Sequence, residues 1–417
     1  MSVPDAVREI QDTIAKGNYG RADLLCRHTM ATLPDFPWPP MLLAKTALKI
    51  DEIDACRYWC KETAARLAGY PPAAFPEVET ELATLNAELD DAVQKPKAGG
   101  TLLIKGWGYG FWSDIEHVIG ALLLAEMTNR TPVVHWAGNS YFTDDPSRDA
   151  FSTFFEPVSP MTVESIIAEE GDVYPPRWRR GNLLDAPRNV WEEEEKSRFS
   201  GLYLLNREER TVVSDYFTQV LELLPWLETN HWLYGADAMD AIRMLYYKYF
   251  VLQPDIQGEI DTFVTEYIAG RSTFAVHVRN LDKGLEDPSI VGDNASMLEV
   301  LDAQLASNPD QRLYLMTDSA EVVDEYAARY GDRVFNTDCA RTDGIVPLTW
   351  KDSNTRRRLG VEVIKDTHIA AACDGFIGFG GSNVACMVAC LKDWPEGACR
   401  LFGDNVKTRR NWLLHDW

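Results

Sequence analysis

Between Phe274 and Lys392, short apolar runs take turns with longer helical patterns, and this alternation constrains the chain more than any other feature. Phe274 to Val278, Arg312 to Met316, Arg333 to Phe335 and Gly375 to Gly378 read as strands. Met297 to Ala306, Ala320 to Tyr330, Thr355 to Ala372 and Asn383 to Lys392 read as helices. Strands that alternate with helices must run parallel, because a parallel pair needs a long crossover. The pattern predicts a doubly wound α/β domain over 270–400. A second unit of this kind opens at Thr101. A strand (Thr101 to Ile104), a glycine turn (Gly106 to Gly110), a helix (Ile115 to Met127) and another strand (Pro132 to Trp136) form one βαβ unit, which we extend over 99–269.

The N-terminal region reads differently. Shifted by 34 residues it pairs Cys26 with Cys60, Thr29 with Thr63, Ala31 with Ala65, Leu33 with Leu67 and Pro37 with Pro71. That is the tetratricopeptide period. Helical spacing runs through Ala6 to Ile14, Ala22 to Leu33, Met41 to Ile50 and Asp54 to Leu67, with a closing helix near Glu77 to Val93. Residues 1–95 therefore read as an all-α tetratricopeptide-like domain that packs on the next one, since two repeats are few for a free-standing solenoid. It is either a helical cap or a docking surface for a partner. Gln94 to Gly100 is a polar, Gly/Pro-rich boundary. Asp144 to Asn230 reads as mixed helices and loops, with Glu192 to Glu195 a solvated face, and 401–417 as a C-terminal segment.

A length of 417 residues suits two or three domains at about 100–200 residues each. A net charge of −23 excludes general affinity for nucleic acid or anionic membrane, although a local basic pocket on an acidic body is compatible with it. Nothing at Met1 to Asp5 reads as a signal peptide and no run is long enough to span a bilayer, so the expected compartment is the cytoplasm. The eight cysteines form no C-x-x-C pair and read as reduced structural thiols.

Four groups of residues carry candidate chemistry. In the turn containing Gly106, Gly108, Tyr109 and Gly110, glycines let a ligand approach the backbone, or they simply make a tight turn. At the end of the strand from Phe274, His277, Arg279 and Lys283 place three donors where an open α/β sheet binds ligands. Arg279 suits a bidentate grip on a diphosphate, and Lys283 adds a point charge; the alternative is surface charge with Asp282 paired to a cation. From Asp366 to Gly381, Ser382 and Asn383, a strand feeds a glycine turn and a Ser-capped helix, which makes an anion site or an ordinary βα connection. Thr317 and Asp318 either line the same cleft or cap the next helix.

Taken together, these motifs resemble the α1,6-fucosyltransferases and their bacterial relatives that decorate chitin oligosaccharides. Gly106-Trp107-Gly108-Tyr109-Gly110 is similar to that family's G-x-G-[YF]-G, and His277-Val278-Arg279-Asn280-Leu281-Asp282-Lys283 to its H-V-R-R-T-D-K. Thr317-Asp318 and Asp366 leading to Gly381-Ser382-Asn383 follow in the family's order, and the resemblance spans roughly Thr101 to Trp394. It implies the GT-B architecture, two facing Rossmann-like domains with a nucleotide-sugar in the cleft. It also implies that His277 and Asp366 meet guanine or its ribose, Arg279 and Ser382 the β-phosphate, and Tyr109 with Lys283 the sugar of GDP-fucose. The implied reaction inverts configuration without a metal or cofactor, with Glu286 or Asp287 as base toward a glycan or protein acceptor. The family's second arginine is Asn280 here and its threonine Leu281, which removes one cation near the diphosphate. Two other readings stay open: a transferase for another nucleotide-sugar, and an inactive scaffold whose repeat domain binds a partner.

Overall fold

The computed structural model describes residues 3–17, 19–49, 53–91, 99–106, 108–139, 142–145, 147–186, 201–279, 289–342 and 355–408. The chain opens with five helices, α1 (Val3–Ala15), α2 (Tyr19–Thr32), α3 (Trp38–Lys49), α4 (Ile53–Leu67) and α5 (Pro76–Asp91), each packed on the one before it. Each covers a segment read as helical from the sequence. What holds them to the rest is charge as well as apolar area. Arg27 on α2 binds Asp23 (2.7 Å) and Glu222, and the Tyr203 hydroxyl donates to Asp23 (2.7 Å), all in buried surroundings. Tyr58 lies against Trp226 with ring centroids 5.0 Å apart.

A first parallel sheet follows, built of β1 (Gly100–Ile104), β2 (Arg130–Val134), β3 (Val173–Tyr174) and β4 (Thr211–Ser214) in the order β2-β1-β4-β3. Period-two side chains sort its faces. Leu102, Ile104 and Val212 join the large core with α6 (Phe111–Met127), whereas Leu103, Val133 and Val213 pack with Val163 and Ile166 of α7 (Val163–Ala168). The region read as helices and loops thus supplies two strands, one of them, β4, beside β1 in the sheet. Short α8 (Val220–Leu223), then α9 (Ala238–Tyr249), α10 (Pro254–Phe263) and a π-helical turn (Val264–Ile268) lead onward.

The second sheet, β5 (Thr273–His277), β6 (Arg312–Met316), β7 (Val334–Phe335), β8 (Gly375–Phe379) and β9 (Cys399–Phe402), has the order β7-β6-β5-β8-β9, all parallel. Counted from its own first strand this is 3-2-1-4-5, with the order reversing between β5 and β8. Helices α11 (Ser289–Ser307) and α12 (Ala320–Tyr330) cover one face; α13 (Arg356–Ala372) and α14 (Asn383–Leu391) cover the other. The two units share a core, because Val361 and Ile364 of α13 and Met387 and Cys390 of α14 belong to the cluster built on α6 and α9. Gly360 makes this approach possible, as a Cβ there would sit 2.6 Å from the Phe154 ring. All eight cysteines are free thiols. Among the described residues no helix is long and apolar enough to cross a membrane.

Candidate active site

Register brings the carboxyl ends of three strands level. His277 is the Cα partner of both Met316 and Gly378, so the residues just beyond β5, β6 and β8 leave the sheet at one rim. The reversal of strand order between β5 and β8 parts the following helices there and opens the crevice in which such sheets bind ligands.

His277 is buried, and its Nδ1 has no hydrogen-bond partner among the described residues. Burial, with the Arg279 charge adding to it, pushes its pKa down to about 3, so the imidazole is neutral at physiological pH. A neutral ring offers one donor and one acceptor, which suits the edge of a polar ligand better than a phosphate. Arg279 bridges from β5 to the next strand's end, its Nη1 lying 3.1 Å from Asp318 Oδ2, and both side chains are about one quarter exposed. The residues after β6 divide their work in a way the sequence left open. Ser319 caps α12, accepting from Val322 N, while the Thr317 hydroxyl accepts from Ser319 N (3.2 Å) and Asp318 holds Arg279.

Asp366 comes from α13. Its Oδ1 accepts from Thr337 (2.7 Å), Tyr314 (2.8 Å) and Cys339 (3.4 Å), while burial raises the carboxyl's pKa against those donors. Tyr314 is on β6, so this cluster sits under the β6–β7 side of the rim.

The turn after β8 is held by packing. A Cβ at Gly380 would lie 2.7 Å from the Asp404 carbonyl oxygen, and one at Gly381 would run into the Phe379 ring. Ser382 occupies the N-cap position of α14, yet its side chain makes no capping hydrogen bond, which corrects the expected Ser cap. No acidic residue stands in the first turn of α14. Its positive end is thus uncompensated by its own sequence, the condition for holding an anion.

On the first sheet, Gly108 sits at φ +95°, where a side chain would be strained. The amides of Gly108 and Tyr109 donate to Asp114 Oδ1 on α6 (2.8 and 3.3 Å), and Gly110 is the N-cap. Those amides are therefore occupied by the protein's own carboxylate, while the Tyr109 side chain is half-buried at the turn. Lys105, one residue past β1, is fully buried between His135 Nδ1 (2.9 Å) and the Leu183 carbonyl (2.8 Å), 5.2 Å from the Trp178 ring centroid. Burial lowers its pKa to about 8, against the pull of Asp149, Asp215 and Asp185.

Two contacts join the rims. Trp112 Nε1 donates to Thr367 Oγ1 (2.9 Å), and Lys407 binds both Glu116 of α6 and Asn383 Oδ1 (2.7 Å). Of the sequence candidates, His277 ends β5, Arg279, Thr317, Asp318, Gly381, Ser382 and Asn383 follow strand ends of the second sheet, and Gly108, Tyr109 and Gly110 follow β1 across the junction. Lys283, Glu286 and Asp287 lie outside the described residues, as do Asn280, Leu281, Asp282, Trp107 and Glu192 to Glu195. Asp114, Glu116, Lys105 and Lys407 were not singled out from sequence. Only Asp114 left a legible signal there, as an acidic residue in the first turn of a helix after a glycine turn.

The class these observations define is an α/β protein of two parallel-sheet units that share a core through their helices and whose helix ends meet at one junction. No family model matches the chain. It is similar to Nodulation protein Z of Sinorhizobium fredii, 25% identical over 295 residues, which cover 66% of this chain and 84% of that protein. Nodulation protein Z of Bradyrhizobium diazoefficiens is 24% identical over 249 residues, covering 54% of this chain and 61% of that protein. Among solved structures, NodZ α-1,6-fucosyltransferase soaked with GDP-fucose aligns with 70% of this chain and 92% of its own at 22% identity, with a TM-score of 0.46. POFUT1 in complex with GDP aligns with 75% of this chain and 100% of its own at 13% identity, with a TM-score of 0.44.

Proposed function

We propose that this protein is a glycosyltransferase of GT-B architecture that moves a sugar, fucose from GDP-fucose in the leading reading, to a glycan or protein acceptor. The observation that carries the reading is the placement of Arg279 at the second sheet's switch point, level with the uncompensated N-terminus of α14. The sequence likeness to Nodulation protein Z supports it.

In this reading the diphosphate takes Arg279 from Asp318 in a bidentate grip, and the α14 amides hold the same anion. Neutral His277 and Asp366 meet the nucleoside, and Tyr109 with Lys283 the sugar. A base, Glu286 or Asp287, removes the acceptor hydroxyl's proton as its oxygen bonds to the anomeric carbon from the face opposite GDP. The carbon–phosphate oxygen bond breaks, configuration inverts, and the negative charge leaving with GDP rests on Arg279, Lys283 and the helix end. That set of fixed positive groups does the work a divalent ion would otherwise do, so the reaction is proposed to need none. Residues 1–95 form the tetratricopeptide-like block, 99–269 the acceptor side, 270–400 the donor side and 401–417 a C-terminal segment, in a protein working in the cytoplasm.

Thermal-shift and calorimetric binding of GDP, UDP and CMP in EDTA, to the wild type and Arg279→Ala, tests this. Stabilisation by GDP alone, lost in the variant, is expected; an equal response to UDP, or none to GDP, sinks the donor assignment. The substitutions Asn280 and Leu281 favour a second reading, a different GDP-sugar or an inactive site. Turnover of a panel of GDP-sugars separates it from the first.

A further inference from the structure

Beyond β9 the chain doubles back over the turn that follows β8. Gly380 N donates to Phe402 O (2.6 Å), Val406 N to Gly380 O (3.1 Å), and Asp404 stands where any side chain at position 380 would have to go. This return carries Lys407 into the junction between the two sheets' helices. Its side chain is wholly buried, its ammonium touching the Glu116 carboxylate of α6 and Asn383 Oδ1 (2.7 Å), while its own amide is fixed by Asn405 Oδ1 (2.9 Å).

A buried ammonium is tolerable only if paired, and so is a buried carboxylate. Burial raises the Glu116 pKa and Lys407 opposes that rise, so the lysine favours the ionised carboxylate. Since Glu116 offsets its charge, Lys407 contributes little net attraction for an anion. What it supplies is direction. Asn383 is the first residue of α14, next to the proposed diphosphate turn, and Lys407 ties it to α6. The same stretch of α6 presents Trp112 to Thr367 and Asp114 to the amides of Gly108 and Tyr109. Three side chains from the first two turns of one helix thus hold three parts of the junction.

We propose that Lys407 is a positioning residue for donor binding, pinning the Gly380–Asn383 turn to α6 through the Glu116 pair so that the diphosphate site keeps its geometry. The proposal rests on the donor reading above. The test compares binding of GDP and GMP to the full-length wild type, to Lys407→Met, and to a Lys407→Met, Glu116→Leu double variant. The double variant replaces a buried ion pair by packing, which folded proteins commonly tolerate, so it guards against misfolding of the single variant. Expected is a loss of about tenfold in GDP affinity in the double variant, as a displaced positioning contact gives. The loss should come with little change in GMP affinity, because only GDP carries the β-phosphate. Unchanged GDP affinity, or equal losses for GDP and GMP, overturns the positioning role. A wild type that binds no GDP overturns the donor reading as well, so the two failures are told apart by the wild-type titration.

Discussion

The turns after β1 and β8 look alike in sequence: each is a strand, a run of glycines and a helix. In the structure they differ in whether the following helix supplies its own anion. At the first, Asp114 from the following helix takes the amides of Gly108 and Tyr109, so a carboxylate already occupies the place an anion would want. At the second, α14 has no acidic residue in its first turn, Ser382 makes no cap, and a lysine binds its first residue. A glycine turn before a helix is therefore an anion site only if the helix has not already answered its own dipole.

The comparison can be broken in four places. The largest effect is expected at Arg279, where Arg279→Ala should cost about a hundredfold or more in GDP affinity by calorimetry, as loss of a charge-assisted contact to a bound anion does. A loss below threefold would remove the second turn's claim. Next come the glycines. Gly380→Ala should destabilise by about 1–3 kcal/mol in denaturant unfolding, because the Asp404 backbone must move. Gly110→Ala, with open space around it, should fall within about 0.5 kcal/mol. Equal costs would mean that the two turns are built alike after all.

The third prediction concerns protons at the two strand ends. The unfolded His277 takes a proton at its ordinary 6.5, the folded one only near 3, so the unfolded state binds more protons in between. Stability should fall as pH drops from 6.5 toward 3, and His277→Gln should flatten that slope. Lys105, pushed from 10.5 to about 8, does the same on the alkaline side. Its contribution to stability should rise with pH between those values, and Lys105→Met should abolish that rise. Unfolding free energies across both windows check the pair. The smallest effect on GDP binding belongs to Asp114→Ala, which should cost about 1 kcal/mol of stability by freeing two amides to water. It should leave GDP affinity unchanged, and a GDP effect as large as that of the Lys407 variants would join the two turns into one site.

Four strands of the second sheet were readable from sequence because each is an apolar run bounded by turn residues, and β6 over Arg312–Met316 has the bounds its sequence predicts. The first sheet was half readable. Its strand β4 is four residues, Thr211 to Ser214, between a charged run and an aromatic one, too short for alternation to show. Two-residue β3 carries no period at all, and in the second sheet β9, Cys399–Phe402, is four residues interrupted by Arg400, too short to read as a strand. The same limit governs the site. His277 and Arg279 could be found because a strand end aims them, whereas Lys407 and Glu116 meet across 291 positions, and no local pattern announces such a pair.

The Asp23, Arg27, Tyr203 and Glu222 cluster has a consequence for how this architecture can change over time. A module attached through a loose linker can be traded between proteins freely. One attached through a buried guanidinium cannot, because its removal would take away the cation that faces Glu222 and the carboxylate that accepts from Tyr203. Any exchange of the helices at the start of the chain therefore has to keep Glu222 and Tyr203 matched across the seam.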